Sequence, residues 1–467
     1  MRVLLLTEEA WNDNLYPNNV LTNWLTDFPG TLANLYLASG KPENGCCMNY
    51  FQITDGMAVK SLVRSKSGGK WFFSKSYGKL PAESGPVENI PAESIPEKSI
   101  TAENNPAEYN PMENNRWKKS YKAKEHKVLK GVFGGTARLS RDFLWLNSKL
   151  AEGPLMEFLT DFRPEVIFSL RFYSRRMLYM ERLLHSATGA PVIAFTGDDE
   201  YSLRQMNASP LYWARKIMFR RELRETAPIY AKYLTLSQRQ AKKMEEELGV
   251  AATVLRKGGD FEDYQAKSVS EPIKIVYAGR LYCNRTRTLE ALAAAIKDIN
   301  RSKVLITLDI YTRDTIDEKL QLLDDRSVFL KGCLSPEDLK KVYQAADIAL
   351  LAESFDIKNK LLTKYSFSTK VVDCLASSCA ILAIGPYENE GIRYLKQNKA
   401  AICVGNPKNI YPMLSHIAAN PDKIEVYRRR AWELGKKEHQ KNDIRKKLAE
   451  ILETAIAQNK SRKDNAI

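Results

Sequence analysis

The run Ile273-Lys274-Ile275-Val276-Tyr277-Ala278-Gly279-Arg280, followed closely by Arg285, is an apolar segment that ends in a glycine and a cation. Apolar segments recur at 303–311, 327–331, 347–352, 380–384 and 400–404, each separated from the next by a helical pattern. This alternation predicts the buried parallel strands of a doubly wound α/β sheet. Ser335-Pro336-Glu337-Asp338 opens one of the helices with a cap, a first-turn proline and acids that complement the helix dipole. The N-terminal half repeats the pattern. Strands are predicted at 2–7, 31–37, 165–170, 191–196, 231–236 and 252–256, and helices near 18–27, 139–160, 174–188, 209–228 and 237–248. Two Rossmann-like domains follow, 1–260 and 272–432, with a helical tail over 433–467. The polar helical stretch from about 421 to 458 is expected to pack across both domains.

At 467 residues the chain exceeds one ordinary core, which agrees with two domains. Hydrophobic residues make up 44% and charged residues 27%, the balance of a soluble globular protein rather than a disordered chain. The apolar start, Val3 to Leu6, is too short for a signal peptide and reads as a first strand. No segment approaches the roughly 18 apolar residues of a membrane span. The seven cysteines are scattered and form no CxxC pair, so neither a disulfide framework nor a zinc site is expected, and a reducing cytoplasm is the natural setting.

Net charge is +15, unevenly spread. Residues 81–115 form seven pentads, six of them opening with proline, and carry seven Glu against one Lys. Proline at every fifth position forbids a continuous helix, and the low apolar content forbids a core, so this array is expected to be a disordered insertion in the N-terminal domain. Residues 116–141 hold nine Lys/Arg against one Glu, and Arg204, Arg215, Lys216, Arg220, Arg221 and Arg224 form a second basic cluster. Such clusters suit nucleic acid, anionic lipid or phosphorylated substrates, or simply a solvated face.

Ligands of doubly wound sheets bind beyond the carboxyl ends of the strands. Gly279 permits a tight turn there, and Arg280 and Arg285 match the geometry of phosphate oxygens. Phe367-Ser368-Thr369-Lys370 precedes or opens a helix whose first amides make an anion site. Asp373, one turn in, can accept two ribose hydroxyl hydrogens. Glu353 and Asp356 follow the strand 347–352 and are placed to touch a sugar. In the N-terminal half, Asp198 and Asp199 follow the strand 191–196 at its carboxyl end, and Asn18 and Asn19, which tolerate unusual backbone angles and offer side-chain hydrogen bonds, lie after the first strand.

Gly279-Arg280-Leu281 with Arg285, and the segment from Tyr365 to Asp373, resemble the donor-binding domain of glycosyltransferase family four, the retaining GT-B enzymes. The family has a Glu at each end of that second segment. Here Tyr365 stands at the first position and Asp373 at the second, as in a branch found in bacterial capsule and exopolysaccharide clusters. The resemblance is strong over about 273–405 and weaker over 1–75 and 160–260. It implies two Rossmann-like domains facing a cleft, a nucleoside diphosphate sugar, with UDP expected, as co-substrate, and no metal. Gly279, Phe367, Ser368, Thr369, Lys370, Asp373, Asn18 and Asn19 would bind the nucleotide sugar, and Arg280, Arg285, Glu353 and Asp198 would serve catalysis.

The expected activity is transfer of a hexose, with retention, to a growing saccharide on a polyprenyl carrier. The expected location is the cytoplasm, peripheral to an anionic inner leaflet, with the basic clusters as the membrane face. No nucleic-acid motif is present, so nucleic acid is not an expected partner. The competing classes are a GT-B nucleotide-sugar-binding module without catalysis and a sugar-nucleotide epimerase. Deleting residues 81–115 should leave fold and donor binding intact, because loop length costs little. The melting temperature of the deletion variant checks this, and a large drop or loss of soluble protein would contradict it.

Overall fold

A computed structural model describes residues 1–16, 19–64, 67–74, 138–171, 174–264, 266–314, 323–324 and 326–465. The pentad array, residues 116–137 of the first basic stretch and Asn18 lie outside the described residues.

The first sheet contains β1 (Arg2–Thr7), β2 (Thr31–Tyr36), β3 (Asn49–Gln52), β4 (Lys70–Phe73), β5 (Val166–Leu170), β6 (Val192–Thr196), β7 (Tyr230–Thr235) and β8 (Ala252–Val254). Its order is β4-β3-β2-β1-β5-β6-β7-β8, parallel throughout except for β4, which runs antiparallel to β3 at the edge. The second sheet contains β9 (Ile273–Ala278), β10 (Ile306–Tyr311), β11 (Val328–Gly332), β12 (Ile348–Ala352), β13 (Ala380–Ile384) and β14 (Ile402–Val404). It is wholly parallel, in the order β11-β10-β9-β12-β13-β14. Both orders reverse once, at β1/β5 and at β9/β12, so each sheet has a crevice where the chain leaves two adjacent strands in opposite directions. All five residues of β12 and all five of β13 are buried, which is why their sequences are continuous apolar runs rather than alternating ones.

Two features differ from the sequence expectation. Strands β3 and β4 have four residues each, too few for a periodic signal, and β4 sits on the sheet edge. The expected single helix over 139–160 is interrupted. Gly153, at φ 83°, and Pro154 start a fresh helix, Pro154–Phe162.

The boundary expected at 432/433 falls inside one helix, Asp422–Glu438. This helix belongs to the second domain. Its Arg428 is fully buried, donating to the Lys267 carbonyl at 2.7 Å and pairing with Glu425 at 2.9 Å and Asp347 at 3.4 Å. The chain turns at His439-Gln440, and the helix Lys441–Asp464 returns across the first domain. There Arg445 reaches the Asn23 carbonyl (3.0 Å), Lys447 that of Val254 (2.9 Å) and Asn459 that of Gly189 (2.9 Å), while Leu448, Leu452 and Ala455 are buried. The two crossings between domains hold each other: the Gly259 amide donates to the His439 carbonyl at 2.8 Å, and the Lys441 amide to Gly259 at 3.0 Å.

Much of the second basic cluster is interior. Arg215 is buried beside Asp142 at 3.5 Å, and the buried Lys216 ammonium donates to the Glu200 carbonyl. Arg220 lies over the Tyr201 ring at 4.0 Å, and Arg224 donates to the Tyr201 hydroxyl at 2.7 Å. These cations hold the helix Pro210–Thr226 to its own domain, which corrects the expectation that the whole cluster forms a membrane face. That helix exposes Pro210, Ala214, Ile217, Met218, Arg221, Arg224 and Glu225, with Arg221 paired to Glu225 at 2.9 Å.

Candidate functional site

The carboxyl ends of β9 and β12 lie side by side at the second sheet's crevice. Gly279 leaves β9 at φ 153°, a region reserved to glycine, and a Cβ there would fall 1.7 Å from Nζ of Lys370. The glycine therefore makes room for the Lys370 side chain, whose ammonium lies 5.0 Å from the Tyr277 ring centre. Burial, reinforced by repulsion from Arg285, pushes the Lys370 ammonium down to about 8. Next in the chain, Arg280 is half exposed and donates to Asp314 at 2.6 Å. Cys283 and Asn284 follow in left-handed conformations, φ 57° and 58°. Two such residues in a row are strained and persist only where neighbours pin them.

The Asn284 side chain donates to Asp356 at 3.1 Å and the Leu281 amide to Asp314, and Arg285, next in the chain, pairs with Glu353. The guanidinium and carboxylate form a buried bidentate pair, with contacts of 2.9, 3.1 and 3.2 Å, and the Thr288 hydroxyl donates to the Glu353 carbonyl at 2.8 Å. Glu353 was expected to face a sugar; its carboxylate instead balances Arg285. Among the described residues, one guanidinium nitrogen of Arg285, Nη1, is buried without a hydrogen-bond partner. Asp356, the other expected sugar contact, caps the helix Ile357–Leu362 through the Asn359 amide (3.0 Å).

The loop 363–369 and the helix Lys370–Leu375 close the crevice. Thr369 occupies the cap position with no side-chain cap bond, and the carbonyls of Ser368 and Thr369 accept from Val371 and Val372. Phe367 is buried, with Arg256 4.4 Å above its ring and Tyr394 5.4 Å away edge-on. Asp373 is ion-paired with Lys257, which comes from the first crossing between the domains. The carboxylate expected to hold a ribose thus has a lysine partner.

The first domain meets this loop directly. Asp198, past the end of β6, accepts from the Ser366 hydroxyl at 3.1 Å. Asp198 itself is exposed. Asp199 is buried and holds its own turn through Ser202 (3.0 Å to the amide), so only one of the two aspartates faces the cleft. Asn19 accepts from the Leu21 amide at 3.0 Å and caps the helix Val20–Leu25, which accounts for an asparagine there without a ligand. His185 binds the Ala190 carbonyl at 2.8 Å, a structural role.

One titratable group was missed. Glu9 follows β1, at the first sheet's crevice, and burial pushes its carboxyl up to about 7, with Glu8 adding and a hydrogen bond from Tyr16 opposing. The signal available was its position just past the first strand.

The fold has known counterparts. No protein-family model matches the chain, and no curated protein matches it. Solved structures do. Anabaena HepE in complex with UDP-glucose aligns with a TM-score of 0.52 at 11% identity, covering 97% of this chain and all of its own. Sucrose-phosphate synthase from Thermosynechococcus elongatus gives 0.58 at 9%, covering 98% of this chain and 100% of its own. The fold is GT-B. A trehalose-6-phosphate protein from E. coli bound with UDP-2-fluoro glucose gives 0.54 at 10%, over 98% of this chain and 99% of its own. At such identities the likeness speaks for the fold and leaves the chemistry to the residues.

Glu9 offers a check on this geometry. A carboxyl whose folded value lies above its unfolded value of 4.5 weakens the fold as pH rises from 4.5 through about 7. Glu9→Gln, neutral at every pH, should therefore raise Tm relative to the native chain at pH 8 and change it little at pH 5. A Tm difference independent of pH would contradict the burial of this group.

Proposed function

We propose that the chain is a glycosyltransferase that moves a hexose from a nucleoside diphosphate sugar, UDP being the expected nucleotide, with retention, as in the glycosyltransferase family four it resembles. The observation that carries this reading is the Lys370 ammonium set against Gly279, beside Arg280 and Arg285, at the crevice of a Rossmann-ordered sheet. The structures complexed with UDP-glucose and UDP-2-fluoro glucose share the fold and support it. In this reading Arg280, Lys370 and the spare N–H of Arg285 take the diphosphate and stabilise the charge it gains on leaving, without a metal. Asp373 takes the ribose hydroxyls, exchanging part of its contact with Lys257. Ser368 and Thr369 flank the diphosphate, and Asp198 faces the reacting sugar from the other domain. Glu353 acts by orienting Arg285.

The acceptor assigned is a growing saccharide on a polyprenyl carrier in surface polysaccharide synthesis, reached from the cytoplasmic side. Among the described residues, no helix is long and apolar enough to cross a membrane. The exposed Ile217, Met218 and Arg221, and the exposed Leu203 and Met206, are the assigned contact with an anionic leaflet, together with the basic stretch at 116–141. Each Lys or Arg near anionic lipid contributes about 1 kcal/mol.

Calorimetric titration with UDP and GDP tests the donor site. Arg280→Ala should lower kcat/KM by an amount equivalent to about 2–4 kcal/mol, by analogy with oxyanion donors, with Tm unchanged because the side chain is half exposed. Asp373→Ala should weaken nucleotide affinity. Absence of any nucleoside diphosphate binding would sink the enzyme reading. Binding without sugar release or transfer would favour the non-catalytic module, for which the mutual neutralisation of Arg285 and Glu353 speaks.

Flotation tests the membrane contact. The chain should float with anionic vesicles at low salt and less at high salt, and Ile217→Glu with Met218→Glu should weaken flotation. Equal flotation on neutral vesicles would count against it.

A further inference from the structure

Tyr365 stands where the resembled family has its first Glu, and the structure surrounds it with cations from both domains. Arg204 Nη1 donates to its hydroxyl at 3.3 Å. The ammonium groups of Lys243 and Lys364 lie 5.0 and 5.9 Å from its ring centre, and the Arg239 guanidinium 5.3 Å. The ring is buried, and its carbonyl accepts from the Ser237 hydroxyl at 3.2 Å, so the tyrosine is a fixed part of the domain interface.

Four positive charges around one neutral ring repel one another, and the ring quadrupole offsets only part of that. The glutamates nearby already have cation partners. Glu390 holds Arg239 at 2.7 Å, and Glu388 holds Lys360 at 2.9 Å. Asp199 and Asp198 accept from neutral donors, the Ser202 amide and the Ser366 hydroxyl, and Asp199 offsets part of the charge at Lys243. Glu247 lies 3.3 Å from Arg224 and 3.3 Å from the Tyr201 hydroxyl. Among the described residues, Arg204, Lys243 and Lys364 are left with no carboxylate partner. Burial pushes the Lys243 and Lys364 ammonium groups down; for Lys243 the Asp199 and Glu247 carboxylates oppose the shift while Arg204 and Arg220 add to it, and for Lys364 Arg204 and Arg239 add to it while Glu388 opposes it. Arg204 is exposed, and Lys243 and Lys364 are half-buried, so the cluster opens to solvent at the mouth of the cleft beside Ser366 and Asp198.

We propose that Arg204, Lys243 and Lys364 form a subsite for a carboxylate or phosphate carried by a sugar in the cleft. This rests on the reading of the chain as a sugar-transferring protein and narrows it: one of its two sugars is anionic. A neutral hexose hydroxyl would accept hydrogen bonds from these groups but would leave their repulsion in place. An anion removes it, and arginine and lysine together supply both the paired donors and the point charge that a carboxylate or phosphate accepts.

The test is a set of calorimetric titrations on the full chain, with Lys243→Gln/Lys364→Gln and Arg204→Gln as variants and thermal melts to confirm that they fold. The donor arm compares UDP-glucuronate with UDP-glucose. The acceptor arm compares glucose 6-phosphate with glucose in the presence of UDP. The native chain should bind the anionic member of one arm at least tenfold more tightly, and the arm that shows it names the source of the charge. The lysine double variant should lose that preference while its affinity for UDP is unchanged. No preference in either arm, or a preference that survives in all variants, overturns the proposal. If UDP itself fails to bind the native chain, the donor reading falls, and titration with glucose 6-phosphate alone then judges the subsite. Binding abolished in the double variant supports it; no binding, or binding equal in the variant, overturns it.

Discussion

The buried pair of Arg285 with Glu353 is the contact on which the second domain's crevice depends. It joins the first residue of the helix Arg285–Ile299 to the residue after β12, across the point where the strand order reverses. Removing one partner of such a pair leaves an uncompensated buried charge, at a cost of about 3–5 kcal/mol. The loop between Gly279 and Arg285 is held at both ends by this pair and by β9. Within it the Arg280 guanidinium donates to Asp314 (2.6 Å), the Tyr277 hydroxyl to the Arg280 carbonyl (2.7 Å) and the Asn284 side chain to Asp356 (3.1 Å). The unpartnered Nη1 of Arg285 is consistent with a charge that is mostly, though not wholly, spent on structure.

The same accounting applies between the domains. Their meeting surface is built from charges and hydroxyls: Asp373 with Lys257, Glu390 with Arg239, Asp198 with Ser366, and Arg204 with Tyr365. Pairs of this kind exchange for a ligand's charges at less cost than apolar packing would, since each side chain keeps a partner. Hydrophobic continuity is concentrated elsewhere, at the crossing, where Phe261 packs against Gly435 and the helix Lys441–Asp464 covers the first domain. The cleft is therefore the weakly held side of the molecule, and the double crossing is the strongly held one.

The basic character of the chain divides in the same way. Arg171 lies wholly inside the first domain among Glu181, Glu200, Tyr230 and Tyr233, and Arg428 wholly inside the second. Arg215 and Lys216 are interior as well. Counting cations along the sequence therefore overstates the charge available to a partner, and the cations with no carboxylate of their own around Tyr365 are a small remainder.

Which parts of this were legible in the sequence follows from what each signal reports. Buried parallel strands must be apolar throughout, so β1, β9 and β13 were readable to the residue and the other long strands to within a few residues. Gly279 was readable because only glycine turns there. The short strands β3 and β4 left no period to detect. Roles for single charges were the least legible, because composition names a cation and only the fold names its partner. Glu353 and Asp373 looked like free ligand groups in the sequence, yet each lies within reach of a basic side chain brought from a distant segment, Arg285 and Lys257. The alternation of apolar runs determined two Rossmann-ordered sheets and where their crevices lie. Tertiary structure decided which charged groups remain available there, because ion pairing acts between segments that the sequence keeps far apart.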